Sequence, residues 1–75
     1  MKYEYGSLQW KSSASRRWIW NQEIWQAADT KRDYEVLGML GEQGWDLVSV
    51  VTTPTVADDP DPGTFFIYYF KRPLP

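Results

Sequence analysis

The stretch from Leu37 to Val50, LGMLGEQGWDLVSV, changes its apolar spacing midway. Up to Leu40 the apolar positions recur at helical intervals. After Gly44, Trp45, Leu47, Val48, Val50 and Val51 follow the shorter interval of a strand. Gly44 stands where a helix ends, because the residue past a helix commonly turns left-handed and glycine does so without a Cβ clash. The pattern predicts a helix over 31–43 and a strand over 45–53. Thr30 is the expected N-cap, with Asp33 three positions on in a capping-box-like pair. Tyr34, Leu37 and Leu40 form the expected buried stripe. Gly38 and Gly41 each weaken a helix by ~1 kcal/mol relative to Ala, so they suggest close approach of the helix to a sheet or to a neighbouring chain.

Residues 2–10 read as a strand, with Tyr3 and Tyr5 on one parity and Leu8 and Trp10 on the other. A bulge at Gly6 could bring all four to one face. Lys11–Ser15 is turn-like. Residues 16–28 are ambiguous. Alternation across 17–22 favours a strand near 16–23, whereas Ile24, Ala27 and Ala28 fit helical spacing after Trp20. Pro54–Gly63, with three prolines and a glycine, is a loop. The last strand, over 64–72, sets Phe65, Ile67 and Tyr69 on one face and Phe66, Tyr68 and Phe70 on the other. The expected fold is a single α+β domain over 1–75: a three- or four-stranded, mainly antiparallel sheet with one helix packed on one face. One helix dries one side of a sheet, so the second aromatic face needs another subunit or a ligand.

Composition sharpens this. A chain of 75 residues buries only ~60% of its unfolded surface. It has no cysteine and no histidine, which excludes disulfides and the commonest zinc, copper and haem ligands. Aromatic packing and self-association remain as sources of stability; 13 residues are aromatic, five of them Trp. Residues 1–32 carry six Lys or Arg against three acids, and residues 33–75 carry two against seven, so a +3 half precedes a −5 half. The halves could meet across a subunit contact, or the basic one could face an anion; scattered solvated charge is the plainer alternative. No apolar h-region opens the chain and no apolar run approaches the ~18 residues of a membrane span, so a cytoplasmic protein is expected.

Tyr3-Glu4-Tyr5, Leu40-Gly41, Gly44-Trp45, Asp46-Leu47-Val48-Ser49-Val50 and Lys71-Arg72-Pro73 together resemble a widespread family of small bacterial and phage proteins, the domain-of-unknown-function family numbered 4177. The resemblance covers roughly two-thirds of the chain, and Asp46 stands where Glu is usual. It implies a strand, a helix, a strand and a last strand ending near Lys-Arg-Pro, and it carries no activity. The Trp18–Trp25 segment has no counterpart in that pattern, so whatever is particular to this protein is expected there.

Catalysis needs a nucleophile, a tuned acid or base, or a metal, and the usual ones are missing. Asp58, Asp59 and Asp61 cluster in the proline-rich loop but lack the ligand spacing of an EF-hand, and read as a solvated turn. Gly38, Gly41 and Gly44 sit at a helix end, whereas anions bind at a helix start. No catalytic residue, metal or cofactor is therefore expected. The candidate binding set is Arg16, Arg17, Trp18, Trp20 and Trp25, with Lys11 near. Indole faces stack on planar rings, and guanidinium forks bind phosphate oxygens in pairs. The set suits a nucleotide or a nucleotide-derived signal, as in a phage protein that sequesters a host messenger. The acidic pI of about 4.9 disfavours long nucleic acid. The competing reading is a protein-interaction or assembly module, in which the tryptophans fill a core or a subunit interface. Either way a homo-oligomer is expected.

Overall fold

The structure is a computed structural model, and it describes residues 1–12 and 17–75. The chain runs β1 (Tyr3–Lys11), β2 (Ile19–Trp20), β3 (Glu23–Ile24), a 3₁₀ turn (Gln26–Ala28), α1 (Asp33–Glu42), β4 (Asp46–Pro54) and β5 (Thr64–Pro73). The strands form one five-stranded sheet in the order β3-β2-β1-β5-β4, every neighbouring pair antiparallel. The α+β class holds, with five strands rather than three or four. The additional strands come from the stretch expected to hold one strand near 16–23: it contains a two-residue hairpin instead. Asn21 and Gln22 make its turn with φ of 50° and 73°, the left-handed pair that a tight hairpin needs and that usually calls for glycine. Asn21 also fastens the turn to β1. Its N–H donates to the Ser7 carbonyl at 2.9 Å, and its Oδ1 accepts from the Ser7 N–H at 3.0 Å.

β1 pairs with β5 without interruption from Tyr3↔Pro73 to Lys11↔Phe65, so no bulge occurs at Gly6, and Tyr3 and Tyr5 stay on the face opposite Leu8 and Trp10. Gly6 answers a different demand: an added Cβ there would lie 2.5 Å from Trp20 Cη2. The bulge falls in β4 instead, where Leu47 opposes Phe70 and Ser49 opposes Tyr69, leaving Val48 as the extra residue.

The chain leaves the β3 edge, passes over the sheet through α1, and enters β4 at the opposite edge. α1 starts two residues later than the spacing suggests. Arg32 is the N-cap, and its backbone N–H donates to Glu35 Oε1 at 3.3 Å. Val36 and Leu40 are the buried helix residues and Leu37 is half-buried, while Tyr34, expected in that stripe, is 65% exposed. A Cβ added at Gly38 or Gly41 would meet nothing within 4 Å outside the helix's own backbone, so neither marks a close approach to the sheet. The helix ends at Gly44 as expected, with φ of 89°. The Trp45 N–H donates to the Leu40 carbonyl at 3.1 Å and the Gly44 N–H to the Gly41 carbonyl at 3.0 Å, the paired bonds of a Schellman motif.

The core lies between α1 and the sheet face that carries Leu8, Tyr68 and Phe70. Trp18, Ala28, Val36, Leu40 and Trp45 complete it, and Trp10, Trp20, Trp25, Leu37 and Phe66 pack against it. All five indoles therefore gather on the helix side. Trp10 stacks on Phe66 at 4.6 Å, and Trp20 meets Trp45 edge-on at 5.1 Å. No helix among the described residues is long and apolar enough to cross a membrane.

Candidate functional site

Residues directly opposite in an antiparallel pair share a face of the sheet. The register therefore sorts the helix-free face: Tyr3, Tyr5, Ser7, Gln9 and Lys11 from β1; Phe65, Ile67, Tyr69 and Lys71 from β5; Asp46, Ser49, Val51 and Thr53 from β4; Ile19 and Ile24 from the hairpin. Among the described residues no helix or strand packs on it. Tyr5 is 73% exposed, and Ile24, Tyr69 and Val51 are also exposed. A solvated antiparallel face normally alternates with polar side chains, yet this one carries three tyrosines, a phenylalanine and several β-branched aliphatics.

β4 continues the same surface around the edge. Every one of its nine residues is exposed, including Leu47, Val48, Val50 and Val51. Leu47 and Val50 oppose Phe70 and Tyr68 and so belong to the helix side, but the helix covers the middle of the sheet and leaves this edge open.

The tryptophan segment divides differently from its expected grouping. Arg16 lies outside the described residues. Arg17 is exposed and borders a shallow hollow of about 240 Å³ with Lys11, Ile19, Ile24 and Phe65 on the helix-free side. Trp18, its neighbour in sequence, is 1% exposed and sits 5.7 Å from the Trp10 ring and 6.5 Å from Tyr68. Trp20 packs on Trp45, Phe70 and Trp25. The structure thus brings Trp18, Trp20 and Trp25 to the core while Arg17 borders the open face. These indole faces meet protein rings.

A concavity of about 550 Å³ opens at the start of α1 between Trp10, Trp18 and residues 29–33. Lys31 and Arg32 supply two cations there, and Asp29 and Asp33 two carboxylates. Lys31 and Arg32 lie outside the binding set expected from the sequence, and a basic pair directly before a helix is the signal that points to them.

The acidic loop folds back on the sheet. Lys11 Nζ reaches Asp59 at 3.4 Å and Asp61 at 3.7 Å, and Asp59 Oδ1 accepts from the Asp61 N–H at 2.8 Å. Lys11 of the basic half meets acids of the acidic half here, whereas the Arg72–Glu4 pair joins the two halves with the signs reversed. Among the described residues no three His, Cys, Asp or Glu side chains gather as a metal site.

Comparison with protein-family models and with curated proteins finds no match for this chain. The likeness to the family numbered 4177 rests on the motif residues alone.

Proposed function

We propose that this chain is a non-catalytic assembly module that acts as a homo-oligomer, with the helix-free face and the β4 edge as its contact surface. One observation carries the reading: of the eleven large apolar side chains left exposed among the described residues, seven lie on that face and edge, and four of those seven are on β4, with Met1, Tyr34, Val56 and Leu74 elsewhere. Scattered exposed apolar residues need no explanation, whereas a contiguous patch on a small domain marks an interaction site. The size of the chain supports the same reading, because so small a core leaves a thin stability margin that a second subunit widens. The missing His and Cys support a binding role over catalysis.

Light scattering after size exclusion tests the proposal. At micromolar concentration the expected mass is a multiple of the 8.8 kDa chain. A strict monomer there would remove the reading.

The cleft at the start of α1 favours a second reading, capture of a planar anion such as a nucleotide. Its volume of about 550 Å³ lies within the usual range for small-ligand sites, and Lys31 and Arg32 would hold the anionic group. Asp29 and Asp33 oppose that charge preference. Calorimetry against a panel of nucleotides decides: heat that disappears in the Lys31→Glu, Arg32→Glu double variant supports it, and no heat with unchanged tryptophan fluorescence removes it.

A further inference from the structure

The two edges of the sheet are unlike. One is β3, two residues long and bearing Glu23. Short and charged edges resist pairing with other strands. The other is β4, nine residues long, with a single charge, Asp46, at its very start. Apart from Pro54 at its end and the bulge at Val48, nothing among the described residues blunts it. Its outer row of backbone N–H and C=O groups faces away from β5, at the end of the strand order. From Ser49 to Thr53, after the bulge, it reads SVVTT: β-branched residues and a serine, well suited to a paired strand.

We infer that the occupant of this edge is the β4 of a second copy, paired antiparallel about a two-fold axis near Val51. The inference rests on the assembly reading above and makes it specific. Three observations select a second copy over other strands. First, copies could instead join head to tail, β4 on β3, but β3 offers two residues against nine. Only β4 on β4 matches the length, and that contact is isologous and closes at two subunits. Secondly, the charge pattern is self-compatible. Antiparallel pairing near Val51 sends the two Asp46 carboxylates to opposite ends of the ladder, roughly 33 Å apart at ~3.3 Å per residue, and sets Ser49 against Thr53 of the other copy. Thirdly, β4 exposes apolar side chains on both faces of the sheet, Leu47 and Val50 on one and Val51 on the other. A lone peptide strand would leave its own far side open. A second copy brings the same residues to both faces and continues the sheet into ten strands, with an α1 flanking each half.

Cysteine cross-linking tests the pairing cleanly, because the chain has no cysteine of its own. Residues directly opposite in an antiparallel pair lie within the Cα separation that a disulfide spans. Val51→Cys under mild oxidation is expected to give a covalent dimer in high yield. Ile24→Cys, more exposed than Val51 but at the other edge, is expected to give little. Val51→Lys, at a site where an exposed side chain leaves folding intact, is expected to reduce the solution mass to 8.8 kDa, with circular dichroism unchanged. If the unmodified chain associates but Val51→Cys links no faster than Ile24→Cys, and Val51→Lys associates as before, the β4 pairing is overturned while the assembly reading stands. A monomeric unmodified chain overturns both.

Discussion

The guanidinium carbon of Arg72 lies 4.4 Å from the centroid of the Trp45 ring. The same side chain donates from Nη1 to the Gln43 carbonyl at 3.0 Å and pairs through Nε with Glu4. One residue near the end of β5 therefore holds the C-terminus of α1, the first residue of the following segment and the start of β1. Cations favour a helix C-terminus, where carbonyls lack partners. This gives a structural task to two motif pieces far apart in sequence, Gly44-Trp45 and Lys71-Arg72-Pro73.

Arg72→Ala should therefore destabilise the fold by about 1–3 kcal/mol, the sum of a partly exposed cation–π contact and a charged hydrogen bond. Arg72→Lys should recover little, because an ammonium cannot stack and fork at once. Urea unfolding of the three proteins measures both. An Arg72→Ala midpoint equal to the original would show that the contact contributes nothing.

Gly6 and Gly38 should respond to alanine with opposite signs. At Gly6 a Cβ meets Trp20 Cη2 at 2.5 Å, Cζ2 at 2.9 Å and Asn21 Oδ1 at 3.2 Å. The indole must shift within a packed ring cluster, at about 1–3 kcal/mol. At Gly38 the space is open, and alanine should stabilise the helix by ~1 kcal/mol. Thermal melts of Gly6→Ala and Gly38→Ala check the pair. A stable Gly6→Ala protein would contradict the close packing of Trp20.

The hairpin turn leaves Gln22 with φ of 73°. Glycine is the favoured second residue of such a turn, so Gln22→Gly should raise stability by about 0.5–1 kcal/mol. A denaturant midpoint that falls instead would point to a contact made by the Gln22 side chain.

Trp18 separates the core role from the ligand role. Truncation of a fully buried tryptophan costs about 3–5 kcal/mol, a large share of what so small a domain has to lose. Trp18→Ala should be largely unfolded by circular dichroism, and Arg17→Ala should fold normally. A folded Trp18→Ala with its secondary structure intact would contradict the core assignment.

These outcomes trace how far the sequence could be read. Gly44 announced the helix end because a left-handed φ is a local demand that one residue type meets best. The parity of Phe65–Phe70 announced both faces of β5, because a strand has a fixed period. The hairpin at Asn21–Gln22 was hidden because its second turn residue is not glycine, and the chain holds it by the Ser7 bonds rather than by propensity. Val36 stands in the buried stripe in place of Tyr34: the face that carries Val36, Leu37 and Leu40 turns inward, and Tyr34, in the first turn of the helix, stays exposed. The described members of the expected binding set divide between two faces of the sheet. Arg17 and Trp18 are neighbours in sequence, but one borders the open face and the other enters the core. What the sequence did expose correctly was a second aromatic face that one helix cannot cover. Its surplus proves to be tyrosine and β4 aliphatic surface, with the indoles packed on the helix side.

The account stands on that uncovered surface being closed by a second copy. Light scattering across a concentration series from low to high micromolar measures it directly. The expected result is a mass converging on twice the 8.8 kDa chain mass, reduced to a single chain by Val51→Lys. A mass of one chain throughout the series, with folding intact, would contradict it.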